Sequence, residues 1–243
     1  CADHHQRASV PDLYHQNRRW SSRQRGGAAM TFPLMPGPIS LPSPKQVYQT
    51  TLTNATTAAS YTFSAVPIGA ADGNRYIVVA VQTSTTGALP TTLTINGVAA
   101  TLLISSVGTA FYGRYVPTGT TATIVTNWSP SPARVVLTVW SVTGITRPIP
   151  QNTGAAEGTS TTASLTLNVA KESCLLAVTV YIGGTGMTWS GADLVERADV
   201  VTAGVSSRFT QADSRPSANG SLTITCAGTA GSENWRIVAV TLR

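Results

Sequence analysis

From Tyr48 onward the chain is written in a period of two. Apolar and polar positions alternate in "RYIVVAVQ" (75–82), "SLTLNVA" (164–170) and "WRIVAVTL" (235–242), the signature of strands with one face against a core. In "SLTLNVA", Leu165, Leu167 and Val169 share one face while Ser164, Thr166 and Asn168 share the other. Two runs break the alternation. "RVVLTVWSV" (134–142) and "LLAVTVYI" (175–182) are apolar on both faces, so they belong in the middle of sheets covered on both sides. "TLTINGVAATL" reads as a hairpin, with Asn96-Gly97 supplying the two positive-φ positions of a tight turn, and Asn219-Gly220 precedes "SLTITC" in a similar way. No stretch predicts a helix of more than two turns.

The strand pattern occurs twice. With residues 60–144 set over 163–243, "SYTFSAV" falls on "SLTLNVA", "RYIVVAVQ" on "CLLAVTVY", "TATIVTNW" on "SLTITCAG" and "RVVLTVWSV" on "RIVAVTLR". Order and spacing match although identities are few, which reads as an internal duplication. Each half is expected to hold about five or six strands of ordinary length. A sheet with one apolar face must meet another. The predicted fold is therefore all-β: a jelly-roll-like β-sandwich built from two internally repeated halves. Residues 48–145 form the first half, 146–163 the connection and 164–243 the second half. The halves make either one merged sandwich or two tandem ones, and the lack of a spacer favours the merged form.

Upstream lies a different kind of sequence. Pro33, Pro36, Pro38, Pro42 and Pro44 exclude helix and central strand from 30–47. Between the prolines sit Phe32, Leu34, Met35, Ile39 and Leu41. An apolar, extended peptide suits a partner's groove, so this arm is a candidate anchor, with a linker packed on its own domain as the equal alternative. Residues 1–29 form a basic extension with five arginines against two aspartates. Met30 opens "MTFPLMPGP" like a protein start, and "RGGAAM" is what a purine-rich ribosome-binding sequence encodes when read through. The extension thus reads equally as upstream read-through and as a designed element.

Composition narrows the chemistry. Charged residues make up 11% of the chain, against about 25% in typical domains. The net charge of +6 is concentrated in the first residues, and no basic stripe with interleaved aromatics follows, so nucleic acid is not an expected partner. No apolar run nears the ~18 residues that span a membrane. All three histidines (His4, His5, His15) precede residue 30, which leaves the body without Ser-His-Asp or Cys-His catalysis and without the commonest metal ligand. Cys1, Cys174 and Cys226 have no motif spacing. No nucleotide cradle is present. The remaining catalytic option is a carboxylate pair. Asp193, Glu196 and Asp199 cluster beside Trp189, but Arg197 and the alternation favour a solvated strand edge or turn. No cofactor, metal or catalytic residue is expected. Trp140 reads as core. Trp128 and Trp189 lie near turns among Ser, Thr and Gly, and are the candidate glycan contacts, with a rim contact or a lid over the sandwich end as the favoured alternative.

"GNRYIVVAVQTS", "LTINGVAATL", "YVPTGTTATIVTNWS" and "ARVVLTVWSVTG" together resemble a domain of virion proteins in tailed bacteriophages, prophages and gene-transfer agents. The start "MTFPLMPGP" is also similar to openings of phage tail-region proteins. The resemblance covers about 30–243 and rests on phrases rather than on a catalytic motif. It implies a non-enzymatic structural protein: a tail fibre, minor tail protein, head spike or decoration protein. The implied partners are other virion proteins and further copies of the same chain. Assembly would take place in the bacterial cytoplasm, without membrane insertion. The alternative is a receptor-recognition module that binds host surface glycan.

Overall fold

The computed structural model describes residues 43–83, 88–183, 186–191, 193–202, 207–229 and 233–243. Among the described residues the chain is all-β and every strand pairing is antiparallel. The first half holds β1 (Lys45–Asn54), β2 (Ser60–Pro67), β3 (Tyr76–Thr83), β4 (Pro90–Ile95), β5 (Val98–Ala99), β6 (Thr101–Ser106), β7 (Thr109–Tyr115), β8 (Thr121–Trp128) and β9 (Val135–Thr143). The second holds β10 (Asn152–Ser160), β11 (Thr162–Val169), β12 (Cys174–Ile182), β13 (Met187–Ser190), β14 (Val195–Val201), β15 (Ser207–Ser214), β16 (Gly220–Gly228) and β17 (Glu233–Leu242).

These strands form four sheets. The first half gives a five-stranded sheet, β1-β9-β3-β7-β6, and a four-stranded one, β2-β8-β4-β5. The second gives a five-stranded sheet, β10-β17-β12-β15-β14, and a three-stranded one, β11-β16-β13. Apart from β5, which has no counterpart among the described residues of the second half, the two orders correspond. Val78 lies between Gly113 and Trp140 as Leu176 lies between Asp213 and Val240. A bulge interrupts β6 between Leu102 and Ile104, and another interrupts β14 between Glu196 and Ala198, at corresponding points of the ladder.

Each half is thus a sandwich with its own core, and the two five-stranded sheets pack on each other. Val79, Val81, Leu137 and Val139 meet Tyr61, Leu93, Ile95 and Ile124 in the first sandwich. Leu175, Ala177, Ile237 and Ala239 meet Leu165, Ile224 and Trp189 in the second. Between them, Val78, Ala80, Phe111 and Trp140 pack with Leu176, Val178, Val238 and Val240. This middle core explains why "RVVLTVWSV" and "LLAVTVYI" are apolar on both faces. Each large side chain buried there contributes roughly 1.5–3 kcal/mol. The merged sandwich favoured by the lack of a spacer is therefore corrected: there are two sandwiches, stacked back to back. No spacer is needed because the halves touch over whole sheets.

Other boundaries move as well. The first half has nine strands and the second eight among the described residues, more than the five or six expected, because the short outer strands carry little periodicity. β1 begins at Lys45, inside the arm predicted to reach residue 47. The connection expected over 146–163 contains β10, which pairs with β17 along its whole length. Its inward face is small because neighbours lie directly on it. A Cβ at Gly154 would sit 3.0 Å from the Leu165 side chain, and one at Gly158 would sit 2.7 Å from the Trp235 ring. Lacking large apolar residues, "NTGAAEGTS" reads as a loop while serving as an edge strand.

Buried polar groups pin the stack. Arg75, fully buried, donates to five carbonyls: Val116, Gly69, Ala70, Thr118 and Gly119, at 2.6–2.8 Å. Every guanidinium donor has a direction to go, which is why an arginine leads the β3 run. Across the seam, Gln82 Nε2 donates to the Thr179 carbonyl at 2.9 Å and Gln211 Nε2 donates to Gln82 Oε1 at 2.8 Å. Asp213, 1% exposed, accepts from Trp140 Nε1 at 2.9 Å and from Arg197 Nε and Nη2 at 2.7 and 2.8 Å. The carboxylate therefore joins an indole of the first half to a guanidinium of the second.

Asp213→Ala leaves a buried indole N–H and a half-buried guanidinium without their acceptor. The expected loss is about 3 kcal/mol in chemical denaturation. A loss within ~0.5 kcal/mol contradicts a seam held by this carboxylate.

Candidate functional site

The anchor candidates Phe32, Leu34, Met35, Ile39 and Leu41 lie outside the described residues, as does Cys1. The two tryptophans named as candidate glycan contacts are buried. Trp128 is 5% exposed and Trp189 is 7% exposed. Trp128 closes one end of the first sandwich, edge-on to Tyr61 at 6.3 Å, with its Nε1 donating to Thr126 Oγ1 at 2.9 Å. Trp189 packs in the core of the second, and its Nε1 donates to Thr210 Oγ1 at 2.7 Å. Both sit on the inward face of a strand that ends next to them. Their polar sequence neighbours belong to the outward face and the turn. At a strand end too few residues remain for the alternation to tell the two faces apart.

The acidic cluster is divided among structural tasks. Asp193 occupies a positive-φ turn position (φ 56°). Asp199 is gripped by Arg208 through two bonds of 2.9 and 2.7 Å. Burial, with the Asp199 charge as the smaller contributor, pushes the Glu196 carboxyl up. β14 is an edge strand, as expected for this segment. Among the described residues no three His, Cys, Asp or Glu side chains group to hold a metal. Cys174 and Cys226 are buried, and burial pushes the Cys174 thiol up to about 12.

A concave feature of the body lies at one end of the stack, where turns from both halves converge. This groove of about 790 Å³ is lined by Ser43 and Pro44, by Gly144, Thr146, Arg147, Ile149, Pro150 and Gln151 between β9 and β10, by Lys171 and Glu172 between β11 and β12, and by Asn219 and Arg243. Main-chain bonds fix its walls. The Thr146 N–H and hydroxyl both donate to the Arg243 carbonyl, at 3.0 and 2.9 Å. The Gln151 N–H donates to Thr241 at 2.7 Å, and the Glu172 N–H to Pro216 at 2.7 Å. The Lys171 N–H donates to Asn219 Oδ1 at 2.7 Å. Tyr76 reaches across from the first half to bond the Pro148 carbonyl at 2.8 Å.

Glu172 is the acid of the groove. It holds a positive φ of 60° and accepts from the Ser43 hydroxyl at 2.6 Å. That bond is the main reason its carboxyl lies below the usual glutamate range; the Arg215, Lys171 and Arg243 charges add to it. Arg215 lies 3.7 Å away. Sequence reasoning did not single out Arg147, Lys171, Glu172 or Arg243. The available signal was topological: in this strand order the segments 144–151 and 170–173, and residue 243, all fall at the same end.

Comparisons with protein-family models, with curated proteins and with solved structures returned no match.

Because the Glu172 pKa is depressed in the folded state, its stabilising bond to Ser43 is present above the ordinary glutamate range and fades as pH falls through the lowered value. Ser43→Ala is expected to move the Glu172 titration, followed by NMR, back toward the ordinary range. It should destabilise the fold slightly at neutral pH and not in acid. An unchanged Glu172 titration contradicts this assignment.

Proposed function

We propose that the chain is a non-enzymatic structural protein of a tailed-phage-like particle, serving as tail fibre, minor tail protein, head spike or capsid decoration. In this reading it is a pair of related jelly-roll sandwiches held to other virion proteins by the apolar N-terminal arm, residues 30–47, and repeated around the particle as a homo-oligomer. The observation that carries the proposal is the double burial of both five-stranded sheets, in which β3, β9 and β12 are covered on each face. A slab of this kind resists local opening, because peeling any central strand exposes two cores at once. Such a body is suited to bearing force and to persisting outside a cell.

Three further features support the reading. In each half the large sheet begins with the order first, last, third strand, as in β1-β9-β3 and β10-β17-β12. This is the wrapping expected of a jelly roll. In the first half, β5 lies in one sheet and β6 in the other, with only Ala100 between them, so one nearly continuous strand spans both sheets. The matched registers and bulges of the halves favour a duplication. The carbohydrate-recognition alternative finds no exposed ring face at Trp128 or Trp189.

Deleting residues 30–42 is expected to leave the body folded and to abolish its incorporation into purified particles, measured by quantitative immunoblot against a major capsid protein. Undiminished incorporation of the truncated chain contradicts attachment through the arm.

A further inference from the structure

The groove at the end of the stack carries more cationic than anionic side chains. Arg147, Lys171 and Arg243 take part in none of the ion pairs among the described residues. They come from three separate chain segments and line one concavity. The carboxylate beside them, Glu172, is already engaged by the Ser43 hydroxyl and by Arg215. A low-charge protein thus gathers three cationic side chains around one ionised carboxylate, on which the Lys171 and Arg243 charges also act. In a concave site the resulting positive potential is focused rather than dispersed. Ile149, 57% exposed, shares the lining with Pro44 and Pro150.

We infer that this groove is a docking site for an extended acidic peptide segment of a partner protein, one that alternates carboxylate and apolar side chains. The cations match carboxylates, and Ile149 with its prolines matches an apolar side chain. The amides of Gln151 and Asn219 are hydrogen-bonding groups in the same lining. The bonded walls already described make the groove pre-formed, which lowers the ordering cost of binding. Nucleic acid fits less well, because no aromatic ring lines the groove to stack a base. An anionic bilayer fits less well too, because the cations line a concavity that a flat surface cannot enter. The inference does not depend on the particle role and stands or falls separately from it.

The test uses the full chain and fluorescence anisotropy with a short labelled peptide of alternating glutamate and leucine. Its comparators are the same peptide with glutamine for glutamate, a short single-stranded oligonucleotide, and phosphatidylglycerol vesicles. Saturable binding of the Glu-Leu peptide is expected. Arg147→Glu with Lys171→Glu should weaken it roughly tenfold or more, and raised salt should weaken it likewise. Ile149→Ser should weaken it while leaving the salt dependence intact. These positions are exposed, so unchanged circular dichroism should accompany each change. Absence of saturable binding overturns the inference. So does equal binding by the charge-reversed protein, or tighter groove-dependent binding of the oligonucleotide or vesicles.

Discussion

The molecule depends on one arrangement: two five-stranded sheets that press their apolar faces together while each also covers a smaller sheet behind it. Val78, Ala80 and Trp140 from one half, with Leu176, Val178 and Val240 from the other, form a core that neither half could cover alone. Remove that contact and each sandwich exposes a full apolar sheet face to water. The scarcity of charge follows from the same geometry. Four stacked sheets leave few positions on which a charged side chain can reach solvent, and the outward faces that remain are filled by Thr, Ser and Asn. Two of the buried charges, Arg75 and Asp213, each have a structural partner or set of partners. Arg75 is wrapped by carbonyls, and Asp213 is held by Trp140 and Arg197. Desolvating such groups is tolerable because their hydrogen-bonding capacity is used.

Much of the fold was readable in advance because burial writes itself into strand periodicity. "RVVLTVWSV" and "LLAVTVYI" are apolar on both faces, and both became central strands covered on both sides. "SLTLNVA" alternates, and β11 alternates between buried and exposed positions. What escaped is equally physical. β10 lies under Leu165 and Trp235, so its inward positions are Gly and Ala, and a strand of that composition has no hydrophobic period to detect. Trp128 and Trp189 sit at strand ends, where a turn's polar residues conceal an inward-facing ring. The choice between one sandwich and two depends on which sheet faces which, and a run apolar on both faces is compatible with either.

The groove was the least legible feature, for a reason common to assembled sites. Arg147, Lys171 and Arg243 are distant in sequence and ordinary one by one. They become neighbours only because the antiparallel order returns β9, β11 and β17 to the same end of the stack. The fold thus separates two roles. The layered interior supplies stiffness, and the turns at one end supply a shaped, charged surface.

The central claim is that the two halves share a core and therefore open as one unit. Native-state hydrogen exchange tests it most directly, by comparing the amides of β3 and β9 with those of β12 and β17 as denaturant is raised. The account predicts that all four strands exchange through a single global opening, with the same free energy and the same denaturant dependence. Two separate openings, one half exchanging at low denaturant while the other remains protected, would contradict it.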